Sequence, residues 1–183
     1  MNVKTLPISR KVMPELTEKD ESLLNKGSAP LLRIKDILVP VDFSTCSRKA
    51  VVYALSFARQ FGAKLTLLHV VPAYYATDPY GLTQYERIEG ELRTKGEQKL
   101  NGLISELVPA STKTEAQTVN GHPGTEIVDA ARDLQADLII IATHGYTGLK
   151  HVLFGSTAEH VVRNAPCPVL TVRQKESDFV KLL

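Results

Sequence analysis

The stretches DILVPV, LTLLHVV and DLIIIA constrain the fold of this chain more than any other feature. A strand with one wet face alternates apolar and polar residues, and these runs scarcely alternate. They suit strands buried on both faces, as in a parallel sheet covered by helices above and below. Parallel neighbours need a crossover, and the first crossover is legible. Ala50, Val51, Ala54, Phe57, Ala58 and Phe61 recur at helical spacing, with Ser44 or Thr45 as the opening cap and Gly62 as the stop. The expectation is a right-handed βαβ unit.

The same logic extends down the chain. After a polar, tyrosine-rich stretch at 73–85, Ile88, Leu92, Leu100, Leu103, Ile104 and Leu107 predict a long helix, which Gly90, Gly96 and Gly102 weaken. TEAQTVN, residues 114–120, reads as a weaker strand suited to a sheet edge. GHPG then opens a helix with Pro123 in its first turn and Ile127, Val128, Ala131 and Leu134 on one face. DLIIIAT (137–143) is the fourth strand, a helix starts near Ser156, and PVLTV (168–172) is the fifth strand. Strands alternating with helices argue for a doubly wound α/β fold. Residues 1–32 fall outside this pattern. Within them TEKDESLLNKG offers a Thr17 cap and a Gly27 stop for a short helix in an otherwise loosely packed arm.

Composition narrows the function classes. At 183 residues and 43% apolar content the chain can build one domain with a substantial core. Its net charge of +2 is spread over mixed-sign segments, without a Lys/Arg run, so no nucleic-acid footprint is evident. No apolar run approaches the roughly 18 residues of a membrane span. The two cysteines, Cys46 and Cys167, lack CxxC or zinc spacing, which points to a reducing compartment, the cytoplasm. His144, His151 and His160 are too widely spaced for a metal-binding pair on one helical face, so no metal held by protein side chains is expected.

The segment ATHGYTGLKHVLFGSTAEH (142–160) carries the chemistry. Gly145 and Gly148 remove the Cβ where a backbone must approach a phosphate closely, and Gly155, Ser156 and Thr157 bring free amides at a helix N-terminus to the negative charge. The same residues also suit a simple turn and helix cap, and spacing alone does not separate the two uses. Lys150 and His151 either lend positive charge to a triphosphate or face solvent. Neither GxxxxGK[ST] nor a GxGxxG after the first strand is present. Cys46, close to a helix N-terminus, is a packed residue or a thiol with a lowered pKa.

Taken in order, ILVPVDFS, LTLLHVV, GHPGTEIVDAA, ADLIIIATHGYTGLKHVLFGSTAEHVV and APCPVLTV resemble the universal stress protein family over residues 33–173. The resemblance implies a Rossmann-like α/β domain at 33–175, with a tail at 176–183. Its five parallel strands would run in the order 3-2-1-4-5 with helices on both faces, and its ligand would sit where the winding reverses. The ATP-binding pattern G-x2-G-x9-G-[ST] falls on Ala142, Gly145, Gly155 and Ser156, so the first glycine is an alanine. One extra methyl group there crowds the ribose side at a cost of about 1–3 kcal/mol. By the same resemblance Pro40 and Val70 border the adenine, Asp42 accepts a ribose hydroxyl, and Gly145, Gly155, Ser156 and Thr157 hold the phosphates. Asp42 also suits a turn or cap.

The implied function is a regulatory module that binds ATP, or ADP or AMP, with Mg2+ carried on the phosphates. It would form a homodimer through strand 5, Val169 to Val172, and act on a protein partner. The alternative is an interaction protein of the same fold that works without nucleotide. An enzyme is a third reading, but SGGxDS after the first strand and HxGH are both missing. That reading reduces to slow ATP hydrolysis or self-phosphorylation, with Ser156 or Thr157 nearest the terminal phosphate.

Overall fold

The three apolar runs form the middle of the sheet. The structure, a computed structural model, describes residues 32–73, 82–143 and 155–173. The sheet belongs to the unit Arg33–Leu183. The short helix expected near Thr17 and the tail at 176–183 lie outside the described residues. Strands β1 (Asp36–Pro40), β2 (Lys64–Pro72), β3 (Thr114–Gly121), β4 (Leu138–Ala142) and β5 (Val169–Val172) make one sheet. Its order is β3-β2-β1-β4-β5 and every pairing is parallel, which is the expected doubly wound, Rossmann-like arrangement.

Burial on both faces explains the absence of alternation. Ile37, Val39, Leu65, Leu67 and Ile140 pack with residues of helices α1 (Thr45–Phe61) and α2 (Leu82–Leu107). Leu38, Leu68, Ile139 and Ile141 face the other way, toward α3 (Pro123–Asp133) and α4 (Ser156–Asn164). The core is thus two layers separated by the sheet, and apolar side chains on alternate positions serve both.

Local signals set the helix ends. Ser44 caps α1, its hydroxyl accepting from the Ser47 amide at 3.1 Å. Gly62 ends the helix in the left-handed region at φ 68, its N–H donating to Ala58 O. In α3, Pro123 stands at the start and Ile127, Val128 and Ala131 are buried. Helix α2 begins at Leu82, inside the tyrosine-rich stretch, rather than beside the first periodic residue Ile88. Propagation adds a hydrogen bond per residue once a nucleus exists, so a helix runs back through LTQYE until something stops it. Gly96 is a packing requirement rather than a weakness. It is buried, and a Cβ there would stand 2.7 Å from His69 Cδ2, whereas Gly90 and Gly102 face open space.

Nothing lies within 4 Å of the position a Cβ would take at Gly62, so a substitution there is opposed by backbone conformation alone. Gly62→Ala is expected to lower unfolding free energy by about 1 kcal/mol. Urea denaturation followed by circular dichroism checks this, and an unchanged midpoint would contradict it.

Candidate functional site

The site begins where β1 stops. Pro40 pairs with Leu68, and β2 continues beside β3 as far as Pro72. Lys64 N donates to Lys35 O (2.7 Å) and Val41 N to Leu68 O (2.8 Å), so even-numbered residues of β2 turn their main-chain groups toward β1. By that alternation the N–H and C=O of Val70 point past the end of β1. On the other flank the β1–β4 register consists of Ile37 with Leu138 and Leu38 with Ile139. A cleft of about 300 Å³ opens over these strand ends.

Its walls bring together most of the residues singled out in the sequence. Pro40, Asp42, Val70, Ala142, Gly155, Ser156 and Thr157 all line it. Gly145 and Gly148, with Lys150 and His151, lie outside the described residues. Ile127 and Ile141 add apolar surface, and Pro123 brings the start of α3 to the rim.

Asp42 occupies the turn between β1 and α1. Its Oδ1 accepts from the Ser44 amide at 3.0 Å and from the Ser44 hydroxyl at 2.6 Å, and the Ser44 hydroxyl in turn caps α1. The turn role weighed from sequence is therefore present, and the same half-buried carboxylate also borders the cleft. Phe43 follows at φ 65, a conformation costing a bulky L-residue on the order of 1–2 kcal/mol. Such strain persists where surrounding contacts enforce it.

Across the cleft, Gly155 N donates to Thr143 O at 2.7 Å, and Gly155 is the N-cap of α4 with no side-chain cap. The first-turn amides of Ser156, Thr157 and Ala158 therefore have no capping side chain, and the helix dipole adds positive potential at that end. Helix α3 likewise starts at His122 without a side-chain cap. Two helix starts without side-chain caps among the described residues thus stand at the cleft, and the Asp42 carboxylate lines it as well. Such a site suits a molecule with a flat apolar part, a hydroxylated middle and an anionic tail.

Thr143 and His69 are among the lining residues that the sequence did not mark. Thr143, fully buried, takes part in the hydrogen bonds that hold α4: its N donates to Val172 O at 2.9 Å. His69 Nδ1 donates to Val41 O at 2.8 Å. The available signal for His69 was an imidazole standing inside an otherwise apolar strand.

The thiols stand apart from this chemistry. Cys46 is buried, its Sγ donating to Val172 O at 3.4 Å. Burial, and secondarily the Asp137 carboxylate, push the Cys167 thiol above its ordinary value. Among the described residues no group of three or more histidine, cysteine, aspartate or glutamate side chains is placed to hold a metal ion.

Comparison with known proteins agrees with the fold. Residues 33–173 match the Universal stress protein family. The chain is 33% identical over 144 residues to universal stress protein MJ0531 of Methanocaldococcus jannaschii, covering 79% of this chain and 85% of the relative. The solved structure of MJ0577 from the same organism superposes with a TM-score of 0.66 at 33% identity, covering 80% of this chain and 100% of that one. Likeness of fold alone extends to a universal stress protein from Archaeoglobus fulgidus in complex with dAMP. It shares 21% identity and a TM-score of 0.53, covering 78% of this chain and 99% of that one. An Arabidopsis thaliana family member with AMP bound gives the same two values, covering 77% and 92%.

Both thiols are expected to resist modification in the folded state. Ellman's reagent at neutral pH should react far more slowly than with free cysteine, Cys167 should quicken as the pH passes 9, and both should react at once in guanidinium. Rapid stoichiometric reaction of the native protein at neutral pH would contradict this.

Proposed function

The chain belongs to the universal stress protein family, and from that premise we propose that its cleft binds an adenine nucleotide, ATP or its ADP and AMP forms, as a regulatory signal. The observation that carries the reading is the convergence of Asp42, the Val70 main chain and the first-turn amides of α4 on one cleft. Pro40 and Val70 flank the base, and the polar groups of the Val70 peptide read its edge. Asp42 accepts from the ribose. Ser156 and Thr157 meet the phosphates, with Gly145 and Gly148 supplying backbone free of Cβ between β4 and α4 and Mg2+ travelling on the phosphates. Relatives of the same fold bound to dAMP and AMP support the ligand class. No described helix is long and apolar enough to cross a membrane, and we place the module in the cytoplasm, where occupancy is read by a protein partner. Ala142, in place of the first motif glycine, favours the second reading, an interaction protein that works without nucleotide.

Two measurements separate these readings. Mass spectrometry of small molecules released from freshly purified protein is expected to show an adenine nucleotide. In calorimetric titrations, Asp42→Ala should weaken ATP and ADP by the same factor, about tenfold, because both carry the same ribose. Ala142→Gly should tighten both. Unchanged affinity in a folded Asp42→Ala protein would remove Asp42 from the site, and absence of binding at millimolar ATP would favour the second reading.

We also propose a homodimer joined through β5. Ile139 N donates to Pro168 O and Thr143 N to Val172 O, so the even-numbered residues of this strand face β4. Val169 and Thr171 therefore turn their main-chain groups to the outer edge, where a symmetric antiparallel partner strand pairs with them. Thr171→Pro removes an outward donor and leaves the β4 ladder intact. Sedimentation is expected to show a dimer for the wild type and a monomer for the variant. A wild-type chain that stays monomeric at high micromolar concentration would overturn the proposal.

A further inference from the structure

The Asp42 turn is gripped from the face of the sheet that α1 and α2 cover. Odd-numbered residues of β2 face α1 and α2, which places the His69 side chain with Leu65 and Leu67 rather than with Leu68 and Val70. There its Nδ1 donates to Val41 O at 2.8 Å, just past the last paired residue of β1. The Phe43 ring lies 4.5 Å from the imidazole, centroid to centroid, and Lys99 Nζ stands 5.5 Å from the centre of the Phe43 ring. Helix α2 closes over the other side of the imidazole. A Cβ at Gly96 would come within 2.7 Å of His69 Cδ2 and 3.3 Å of Nε2, so only glycine lets the helix and the imidazole approach as they do.

The residues on either side of Asp42 are thus held by one side chain. Val41 is fixed through its carbonyl, and Phe43 is held at φ 65 by ring contact. A turn with a bulky residue in the left-handed region relaxes unless outside contacts hold it. We propose that His69 is a positioning residue for the nucleotide cleft: clamped by Gly96 of α2, it holds Val41 and Phe43 so that the Asp42 carboxylate faces the ribose and Ser44 caps α1. The proposal rests on the adenine-nucleotide reading of the cleft. It assigns no contact between His69 and the base, ribose or phosphates through the imidazole. Its action passes through Asp42.

Three variants test it by amide exchange, and the leucine variant also by ATP affinity. His69→Leu keeps much of the volume and loses the donor, whereas His69→Asn is smaller and keeps a nitrogen where Nδ1 stands. If the donor positions the turn, hydrogen exchange of the Ser44 and Ser47 amides in the nucleotide-free protein quickens by about tenfold in His69→Leu and stays near wild type in His69→Asn. ATP affinity falls about three- to tenfold in the leucine variant, and not further when Asp42→Ala is already present. If His69 only fills space, asparagine does the greater damage. Unchanged exchange in His69→Leu, or asparagine as harmful as leucine, overturns the proposal. Should His69→Leu fail to fold, Gly96→Ala, which displaces the imidazole without deleting it, is expected to quicken the same amides, and unchanged exchange there overturns it equally. If the wild-type protein binds no ATP, the reading of the cleft fails, and amide exchange alone decides the role of His69.

Discussion

Pro40 is the constraint on which the carboxyl edge of this sheet depends. Val41 N bonds to β2, so by alternation the Pro40 nitrogen faces β4, where it has no hydrogen to give. A proline in a central strand removes a rung of the ladder, and here the β1–β4 register covers only Ile37 and Leu38. Beyond that point the two central strands separate. The cleft is the space between them, and it lies at the reversal of winding, where open α/β sheets place their ligands. Were β1 to continue paired on both sides, the Val70 peptide would be consumed by the ladder and would present no main-chain edge to the cleft.

The separation leaves polar groups that must be satisfied, and the turn after β1 does this with few residues. Asp42 binds Ser44 twice, Ser44 caps α1, and Ser47 Oγ donates to Ser44 O at 3.0 Å. The start of α1 is thereby closed by its own side chains. The starts of α3 and α4, which have no side-chain caps among the described residues, line the cleft. This asymmetry gives the site its direction: a carboxylate and a capped helix on one side suit hydroxyl donors, and orphan amides on the other suit an anion.

What the sequence disclosed tracks the range of the forces involved. Ser44, Gly62 and Pro123 act within a turn of their own positions, so the helix boundaries they control were legible. The apolar runs disclosed which strands are central because burial on both faces leaves a compositional trace. Asp42 was legible as a turn residue beside the strand ends, because a strand end followed by a cap admits few other places for a carboxylate. Gly96 was misjudged as a weak point of its helix, since its reason lies with His69 on another element, and no local pattern records a contact between a helix and a distant strand. The start of α2 at Leu82 leaves no apolar marker in the sequence, because helix propagation needs no apolar stripe. The direction of the Thr171 main chain also required the register with β4, which hydrogen bonds determine and composition does not.

The two edges of the sheet are built differently, and that difference links the proposed dimer to the cleft. On β3, Glu115 and Gln117 carry polar side chains and Lys64 pairs with Glu115 at 2.7 Å, so charge lies along that edge and discourages a partner strand. On β5, Val169, Leu170 and Thr171 are half-buried in the single chain and carry no charge, the composition of an edge that gains by being covered. Val172, the last residue of that strand, accepts through its carbonyl from Thr143 N, and Thr143 O accepts from Gly155 N. The end of the uncharged edge therefore connects to the N-cap of α4 through one residue. A partner strand that fixed β5 would by this route also fix the helix start at the cleft. The shared element is Thr143, whose complete burial leaves it little room to adjust separately to either side.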